Sequence, residues 1–412
     1  MSAARNIALG CALLMLACGA EIALGRGGKP QPSPPPNPDI VYMSSSSRAP
    51  DNPAIRGVSV TITGNTINST DTQLLKGLAS RDRGSIAWSP DGLRYAGIEE
   101  PYTPTAKIMW AAPGKTPSVL YAPNGASDPY VLSDSDVLAW SDACSGNGSV
   151  LVFARDAKWD TSVDPAVQTE LPAIMAIDIE AASGSESPPS FSSPREIKVG
   201  PYPTGFAFSP TGQYLVFSSG HGENEKVSMI SMCTSPQTPT TLLTWNDLSA
   251  AKYPYACSDS AGSNCPCNGN PAKVCYTYPS HAVQSIDWSG DGKRLALSVI
   301  TGPDANYPWR DLRVAYLDGN EIDPIFTKNR VVRIDFDAIF GPASSEHSPQ
   351  WGPGSSSNDC ERLAFSQSAG ASDGSTMNGR RLFLHDLVTT NSTCLSGPRE
   401  ISARDPRAID WK

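Results

Sequence analysis

Apolar and polar residues alternate in short runs along most of the chain, and turn-forming residues bound each run. The clearest unit is an apolar strand ending in an aromatic residue, a tight turn, and a second apolar strand, at residues 85–98, 205–218 and 285–298. In its fullest copy the turn is Ser-Pro-Asp-Gly, where proline restricts φ, aspartate bonds its own backbone and glycine takes the left-handed conformation. Each unit therefore predicts an antiparallel β-hairpin with half-buried strands.

Two further units carry a longer turn. Residues 137–153 and 348–366 repeat both apolar strands, and their extended turns contain Cys144 and Cys360. The alternation continues through a second strand pair after each of the five hairpins. Four strands per unit is the composition of a β-propeller blade.

Each hairpin is followed by its own second strand pair. After the hairpin at residues 285–298, for example, the pattern predicts strands at residues 312–316 and 324–326.

The two ends of the chain supply a sixth unit. Residues 407–412 repeat the first strand and stop before its turn, whereas residues 38–45 repeat the second strand with nothing before it. Pairing of these ends removes free sheet edges. The sequence therefore predicts an all-β, six-bladed β-propeller over residues 39–412, with four strands per blade, closed by the N- and C-terminal strands in one blade.

An aromatic residue ends the first strand of every unit. Because all six units repeat it, this position is predicted to pack between blades rather than to form a ligand cage. The six anchor aromatics are Trp88, Trp140, Phe208, Trp288, Trp351 and Trp411.

The hairpins resemble the TolB-like, WD-like propeller repeat, an aromatic followed by Ser-Pro-Asp-Gly and an apolar strand. The copy Trp88–Gly92 matches fully, whereas Phe208, Thr211 and Gly290 are single-position departures in the other close copies. The resemblance covers the propeller and not the N-terminal α/β domain of TolB, so the Tol–Pal role is not expected. The same repeat forms the non-catalytic propeller of prolyl-oligopeptidase-like peptidases, but no residues remain here for their hydrolase domain.

The first residues predict export. Arg5 precedes an apolar run that ends in Leu14-Met15-Leu16-Ala17-Cys18-Gly19, which resembles the bacterial lipobox with Met15 at a position usually held by leucine. We therefore expect residues 1–17 to be a lipoprotein signal peptide and Cys18 to be lipidated. The alternative is an ordinary secretory signal with a chance cysteine. Gly19 after the cysteine resembles lipoproteins sent to the outer membrane, on its periplasmic or its surface face.

Residues 18–38 are rich in proline and glycine, and they predict an extended tether between the lipid and the domain. The membrane is expected to be contacted through the lipid anchor only. The formal net charge of the whole chain is −9. An acidic surface repels phosphate backbones, so nucleic acid is excluded as a partner.

Eight cysteines follow Cys18, and an even number in an exported chain predicts disulfides. Four lie within the predicted insertion at residues 246–280, where a zinc site is the alternative, although their C-x7-C-x-C-x7-C spacing lacks paired C-x2-C motifs. The eight cysteines are Cys144, Cys233, Cys257, Cys265, Cys267, Cys275, Cys360 and Cys394.

The ring channel is one candidate binding site. His281 and His347 each precede a first strand, and with Asp287 and Asp410 they could supply metal ligands or acid–base pairs. The same resemblance includes oligogalacturonate lyase, in which channel histidines help bind a metal. The alternative is that they are ordinary polar residues of a propeller face, and no metal or other cofactor is predicted. Asp91 and Asp291 are assigned to the turns.

The connections between the third and fourth blades are unusually aromatic. Trp245, Tyr276 and Trp309 are candidate recognition residues, since aromatics are enriched at binding surfaces, or they cover the side of the propeller.

Three hypotheses for function follow. The preferred one is a non-enzymatic, monomeric scaffold at the bacterial cell envelope that recognises a protein or peptide through a propeller face. The alternative is a polysaccharide lyase or hydrolase that acts in the channel, where His281 and His347 could bind a metal. The third is a purely structural envelope component.

Overall fold

The structure is a computed structural model, and its described residues fall in the propeller region. They are residues 38–44, 54–63, 65–76, 85–99, 106–113, 115–123, 137–144, 146, 148–160, 167–180, 190–200, 203–220, 224–234, 238–248, 283–300, 310–317, 330–334, 336–340, 344–352, 360–369, 380–387, 394–403 and 406–411. The predicted signal peptide, Cys18, all of the tether except Pro38, and the insertion from residue 249 onwards lie outside them.

Six four-stranded antiparallel sheets form a six-bladed β-propeller. Blade 1 contains Ile86–Trp88, Tyr95–Glu99, Lys107–Ala111 and Ser118–Tyr121. Blade 2 contains Leu138–Asp142, Ser149–Arg155, Ala173–Ile179 and Arg195–Val199. Blade 3 contains Pro203–Phe208, Tyr214–Ser219, Lys226–Ser231 and Thr240–Thr244.

The remaining blades follow the same order. Blade 4 contains Val283–Trp288, Arg294–Ile300, Arg310–Tyr316 and Arg330–Arg333. Blade 5 contains Ser344–Trp351, Arg362–Ala369, Arg381–Asp386 and Arg399–Ser402. Blade 6 contains Pro406–Trp411, Ile40–Ser44, Ala54–Thr63 and Thr66–Lys76.

Blade 6 joins the two ends of the chain. Its first strand, Pro406–Trp411, pairs antiparallel with Ile40–Ser44, with Ile40 opposite Trp411 and Tyr42 opposite Ile409. Around the ring, the first strand of every blade contacts the first strands of both neighbouring blades. The strand Pro406–Trp411 is therefore hydrogen-bonded to Ile40–Ser44 of its own blade, and it packs against the first strands of blades 5 and 1.

Several elements differ from the pattern. The fourth strand of blade 4 is Arg330–Arg333, whereas the sequence favoured residues 324–326, which lie outside the described residues. Two adjacent β-branched residues, Val331 and Val332, give the observed strand its β propensity. Blade 2 also carries a small hairpin, Lys158–Asp160 with Val167–Glu170, and short helices occur at Trp245–Leu248 and Asp337–Phe340.

The hydrophobic core is divided among the spaces between blades. The second strands are buried on both faces, as in Leu151 to Ala154, because each blade packs against two others. All six anchor aromatics lie in these interblade clusters: Trp88, Trp288 and Trp351 are buried, and Trp140, Phe208 and Trp411 are partly buried against them. The repeated aromatic position is thus a packing position, as its recurrence predicts.

A buried polar cluster joins blade 6 to blade 5. The Asp71 carboxylate accepts hydrogen bonds from the Tyr42 hydroxyl at 2.5 Å, from the Ser402 hydroxyl at 2.5 Å and from the Arg56 Nε at 2.8 Å. Burial raises the pKa of Tyr42, and the neighbouring Asp71 raises it further, so this hydroxyl keeps its proton and donates. Ser402 ends the fourth strand of blade 5, and the cluster therefore ties that blade to the one built from both chain ends.

We predict that Tyr42→Phe lowers the free energy of unfolding by about 2 kcal/mol, the range for a hydrogen bond to a charged group. Tyr95→Phe is the matched control. Tyr95 is equally buried, but its hydroxyl has no hydrogen-bond partner among the described residues, so its removal should be neutral or slightly stabilising. Urea unfolding monitors both variants. Equal losses in the two would contradict the role given to the Tyr42–Asp71 bond.

An aromatic cluster fills the space between blades 4 and 5. Phe336, which precedes the helix Asp337–Phe340, stacks on Phe365 with ring centroids 4.9 Å apart and meets His385 edge-on at 5.0 Å. Burial lowers the pKa of His385, and the adjacent Asp386 opposes the shift only in part. The folded protein therefore favours the neutral imidazole at this position.

This preference predicts a pH effect on stability. Since the pKa of His385 is lower in the folded than in the unfolded chain, the unfolded chain binds the proton more readily, and stability falls as the pH drops below about 6.5. Urea unfolding between pH 7.5 and 5.5 should show a smaller slope of unfolding free energy against pH for His385→Leu than for the wild type. Identical slopes would show that another group carries the dependence.

Candidate functional site

The propeller has two chemically different faces. In blade 3, the strand pairing places Pro203, Ser219, Lys226 and Thr244 at one end of the sheet and Phe208 at the other. The tight turn after the first strand lies at the Phe208 end of each complete hairpin, and we call this the turn face. The opposite loop face holds the connections from second to third strands and from one blade to the next.

The turn face is built from repeated, internally bonded turns. In blade 1 the Gly92 N–H donates to the Ser89 carbonyl at 2.8 Å, and the Leu93 N–H donates to the Asp91 carboxylate at 2.9 Å. Gly92 has φ +63°, a left-handed conformation that glycine adopts without steric strain. Arg94 then pairs with Asp91 at 3.0 Å and lies 5.9 Å from the Trp110 ring centre.

Blade 4 repeats this arrangement. Burial by itself raises the pKa of Asp291, but hydrogen bonds from Ser289 and the Lys293 N–H, together with Arg294, outweigh it and lower the pKa. Asp91 and Asp291 are therefore turn residues, as their spacing predicted, and their oxygens are occupied within the turn.

Two disulfides pin the turn face. Cys144, in the extended turn of blade 2, is bonded to Cys233, which follows the third strand of blade 3, so this bond connects two blades. Cys360 and Cys394 are bonded within blade 5. The other four predicted disulfide cysteines, Cys257, Cys265, Cys267 and Cys275, lie outside the described residues.

At the loop face, hydroxyl groups near or in several first strands form hydrogen bonds with the backbone of the next blade. The Ser85 hydroxyl accepts from the Val137 N–H at 3.0 Å, and the Ser285 hydroxyl accepts from the Ser348 N–H at 3.1 Å. The Thr204 hydroxyl donates to the Val283 carbonyl at 2.9 Å. Buried hydroxyls at equivalent positions thus join blade 1 to 2, blade 3 to 4 and blade 4 to 5.

Glu225 strengthens the junction of blades 3 and 4. It is fully buried, and its Oε1 accepts from the Ser218 hydroxyl at 2.7 Å and from the Val283 N–H at 3.0 Å. Sequence analysis missed this residue because it follows a short connection with no periodic signal, and only its proximity to the next blade gives it a partner.

His347 lies at the loop-face end of blade 5 in an unusual backbone setting. The first strands of blades 3 and 5 each contain a bulge near this end, occupied by Gly205 with φ +58° in one and by Ser348 with φ +46° in the other. A non-glycine residue in this region is strained, and such strain often accompanies function. His347, directly before Ser348, is buried at 7% exposure.

Asp287 and Asp410 each bind the backbone of a neighbouring blade. The Asp287 carboxylate accepts a hydrogen bond from the Trp351 N–H at 2.5 Å, and the Asp410 carboxylate accepts one from the Trp88 N–H. Each aspartate therefore bonds the backbone of the anchor aromatic in the next blade. The other four blades have alanine or glutamine at the position before the anchor aromatic.

Of the three aromatic residues predicted to take part in recognition, one is buried and two lie outside the described residues. Trp245 is 5% exposed and packs with Leu248 in the core between blades 3 and 4, so it is not the exposed recognition residue that the sequence suggested. A short helix after the fourth strand of blade 3 turns its ring inward. His281, Tyr276 and Trp309 lie outside the described residues.

Among the described residues, one group of potential metal ligands lies close together, namely Cys360, Asp386 and Cys394. The two sulfur atoms are bonded to each other, and Asp386 pairs with Arg362 through contacts of 2.6 and 2.7 Å, so the group is a structural one.

No helix in the described part of the chain is long and apolar enough to cross a membrane.

Comparisons with known proteins concern the fold. No protein-family model and no curated protein matches the chain. Among solved structures, TolB from Acinetobacter baumannii has 14% identity and a TM-score of 0.47, and the match covers 90% of this chain and 66% of TolB. A puromycin-hydrolysing peptidase from Mycobacterium tuberculosis has 13% identity and a TM-score of 0.41, covering 89% of this chain and 48% of the peptidase.

A third similar structure is a gluconolactonase from Xanthomonas campestris, with 13% identity, a TM-score of 0.37, and coverage of 80% and 92%. The chain spans just under two thirds of the TolB and about half of the peptidase. These similarities assign no activity to this chain.

We predict that Asp287→Ala lowers the free energy of unfolding by about 1–3 kcal/mol, because the Trp351 N–H loses its acceptor in the interior. Asp287→Asn retains a carbonyl oxygen and should lose less. Asp178→Ala, at an exposed ion pair with Arg195, is the control, with a loss of at most about 1 kcal/mol. Chemical unfolding compares all three. A ligand role would instead make both Asp287 variants equally defective in metal binding with little change in stability.

Proposed function

We propose that this protein is a non-enzymatic binding scaffold at the bacterial cell envelope that recognises a protein or peptide through its loop face. The observation that carries the proposal is the difference between the two faces. The turn face holds the short, internally bonded turns of blades 1, 3 and 4 and two disulfides, whereas the loop face bears the longest connection of the chain, between Leu248 and Val283.

The turn face offers little adaptable surface. Its turns satisfy their polar groups internally, and the Cys144–Cys233 bond fixes two neighbouring blades. The opposite face holds the connections at residues 122–137, 156–172 and 245–282. Binding residues commonly lie on such loops, positioned by a rigid framework.

The loop face also exposes apolar surface. Leu171, between the small hairpin and the third strand of blade 2, is 51% exposed. The sequence of the connection after the helix Trp245–Leu248 contains Tyr276 and further aromatic residues, which lie outside the described residues. Exposed apolar and aromatic side chains supply much of the affinity of protein interfaces.

The inner polar groups support a scaffold rather than chemistry. Asp287, Asp410 and Glu225 each accept a backbone hydrogen bond from a neighbouring blade. A carboxylate engaged in this way serves rigidity, which reduces the entropy lost when a partner binds.

The proposed location follows from the sequence. A signal peptide at residues 1–17, lipidation of Cys18 and a tether at residues 18–38 would hold the propeller at the envelope, in the outer membrane by the Gly19 pattern. There the propeller would meet an envelope protein or peptide.

One observation favours the second candidate, a metal-dependent lyase or hydrolase acting on a polysaccharide. His347 is a buried imidazole beside the strained Ser348, and His281 precedes the neighbouring first strand. Metal analysis of the purified protein tests this candidate directly, since a stoichiometric metal lost in His347→Ala would favour it.

The scaffold is tested by affinity capture of the intact lipoprotein from detergent-solubilised envelope. Leu171→Glu, on the loop face, should lower the yield of a stoichiometric partner about tenfold, as expected for an interface anchor. Leu93→Glu is the matched control, because Leu93 is also exposed, at 40%, but lies in a turn of the opposite face. Thermal melting verifies that both variants are folded.

Three results would contradict the proposal: no stoichiometric partner, equal capture by both leucine variants, or loss of capture in Leu93→Glu alone. Deletion of residues 249–280 then locates the contact within the loop face, since it removes the long connection and leaves the helix Trp245–Leu248 in place.

A further inference from the structure

Blade 4 carries two arginines that face each other across neighbouring strands. Arg313, in the third strand, is directly opposite Arg333 in the fourth. Like charges at opposed positions of a sheet destabilise it unless an anion lies between them. The carboxylate of Asp311 lies beside this pair of arginines.

The side chains of this pair point towards blade 3. Ala315 and Val331 pack against the apolar cluster between blades 3 and 4. Because alternate residues of a strand share a face, Asp311 and Arg313 lie on the same face as Ala315, and Arg333 lies on that of Val331. The charged group is therefore beside the junction of the two blades, next to the helix Trp245–Leu248, which contacts the fourth strand of blade 4.

Asp311 cannot serve both arginines equally. Its Oδ2 lies 2.5 Å from the Arg333 Nε, and its Oδ1 lies 3.4 Å from another Arg333 nitrogen. The closest approach to Arg313 is 4.0 Å, which is beyond hydrogen-bond distance. The carboxylate is thus paired with Arg333.

Arg313 remains a largely buried cation. Its side chain is 12% exposed, and its Nε has no hydrogen-bond partner among the described residues. Burial lowers the pKa of Arg313, Asp311 opposes the shift, and the neighbouring Arg333 adds to it. A desolvated guanidinium whose carboxylate partner lies 4.0 Å away is incompletely compensated, so an additional anion would stabilise this arrangement.

The two guanidinium groups suit an oxyanion. Arginine presents a planar fork of N–H donors that matches carboxylate and phosphate oxygens, and such charge-assisted bonds are among the strongest in proteins. Arg333 is 39% exposed, which leaves the pair open to solvent on one side. We propose that Arg313 and Arg333 form an oxyanion-binding site beside the blade 3–blade 4 junction, which takes a carboxylate or phosphate group.

Inorganic phosphate and acetate are the two probes, each measured against chloride at equal ionic strength by isothermal titration and thermal melting of the mature lipoprotein in detergent. We expect saturable binding of one of them. Phosphate preference would identify a phosphate ligand, and acetate preference a carboxylate. Binding of neither, or stabilisation without saturation, overturns the proposal.

Charge variants locate the site. Arg313→Gln should weaken binding of the preferred probe about tenfold, the effect of one charge-assisted hydrogen bond. Arg195→Gln is the matched control, because Arg195 forms an exposed ion pair with Asp178 in blade 2. This variant should bind the anion probe as tightly as the wild type. Unchanged binding in Arg313→Gln contradicts the assignment.

A second variant keeps the test decisive if Arg313→Gln does not fold. Asp311→Asn removes the competing carboxylate and should tighten binding of the probe about tenfold, with a larger rise in melting temperature than in the wild type. Weaker or unchanged binding in this variant would overturn the proposal. The readout is anion binding alone and is independent of partner capture.

Discussion

The contact between neighbouring first strands is the constraint on which the rest of this propeller depends. Each first strand packs against two others around the ring, so its backbone groups and side chains must be satisfied from both sides. In blade 6 this strand comes from the C-terminus and its partner from the N-terminus, paired from Ile40–Trp411 to Ser44–Pro406. The ends of the chain therefore contribute to the same sheet, and neither end presents this edge to solvent.

Blade-to-blade hydrogen bonds recur along these contacts, and their chemistry varies. Ser85, Thr204 and Ser285 use hydroxyls near the loop face, whereas Asp287 and Asp410 use carboxylates next to the anchor aromatics. A buried N–H must find an acceptor, and either side chain provides one. Residues that look catalytic in the sequence can thus be explained by the polar demands of a ring of strands.

The same ring separates rigidity from variation. Turns of the Ser-Pro-Asp-Gly type and both described disulfides lie at one face. The connections from second to third strands and from blade to blade lie at the other face. This division lets one framework support different surfaces.

The sequence by itself determined the six repeats, their four strands and the packing role of the anchor aromatics, because turn chemistry and alternation are local and repeated. It also assigned Asp91 and Asp291 to turns. Only the tertiary structure decided which distant groups meet. It buried Trp245, gave Asp287 and Asp410 partners in the next blade, and brought Arg313 opposite Arg333. Such contacts depend on register and on the rotation from one blade to the next, and residue spacing along the chain carries neither.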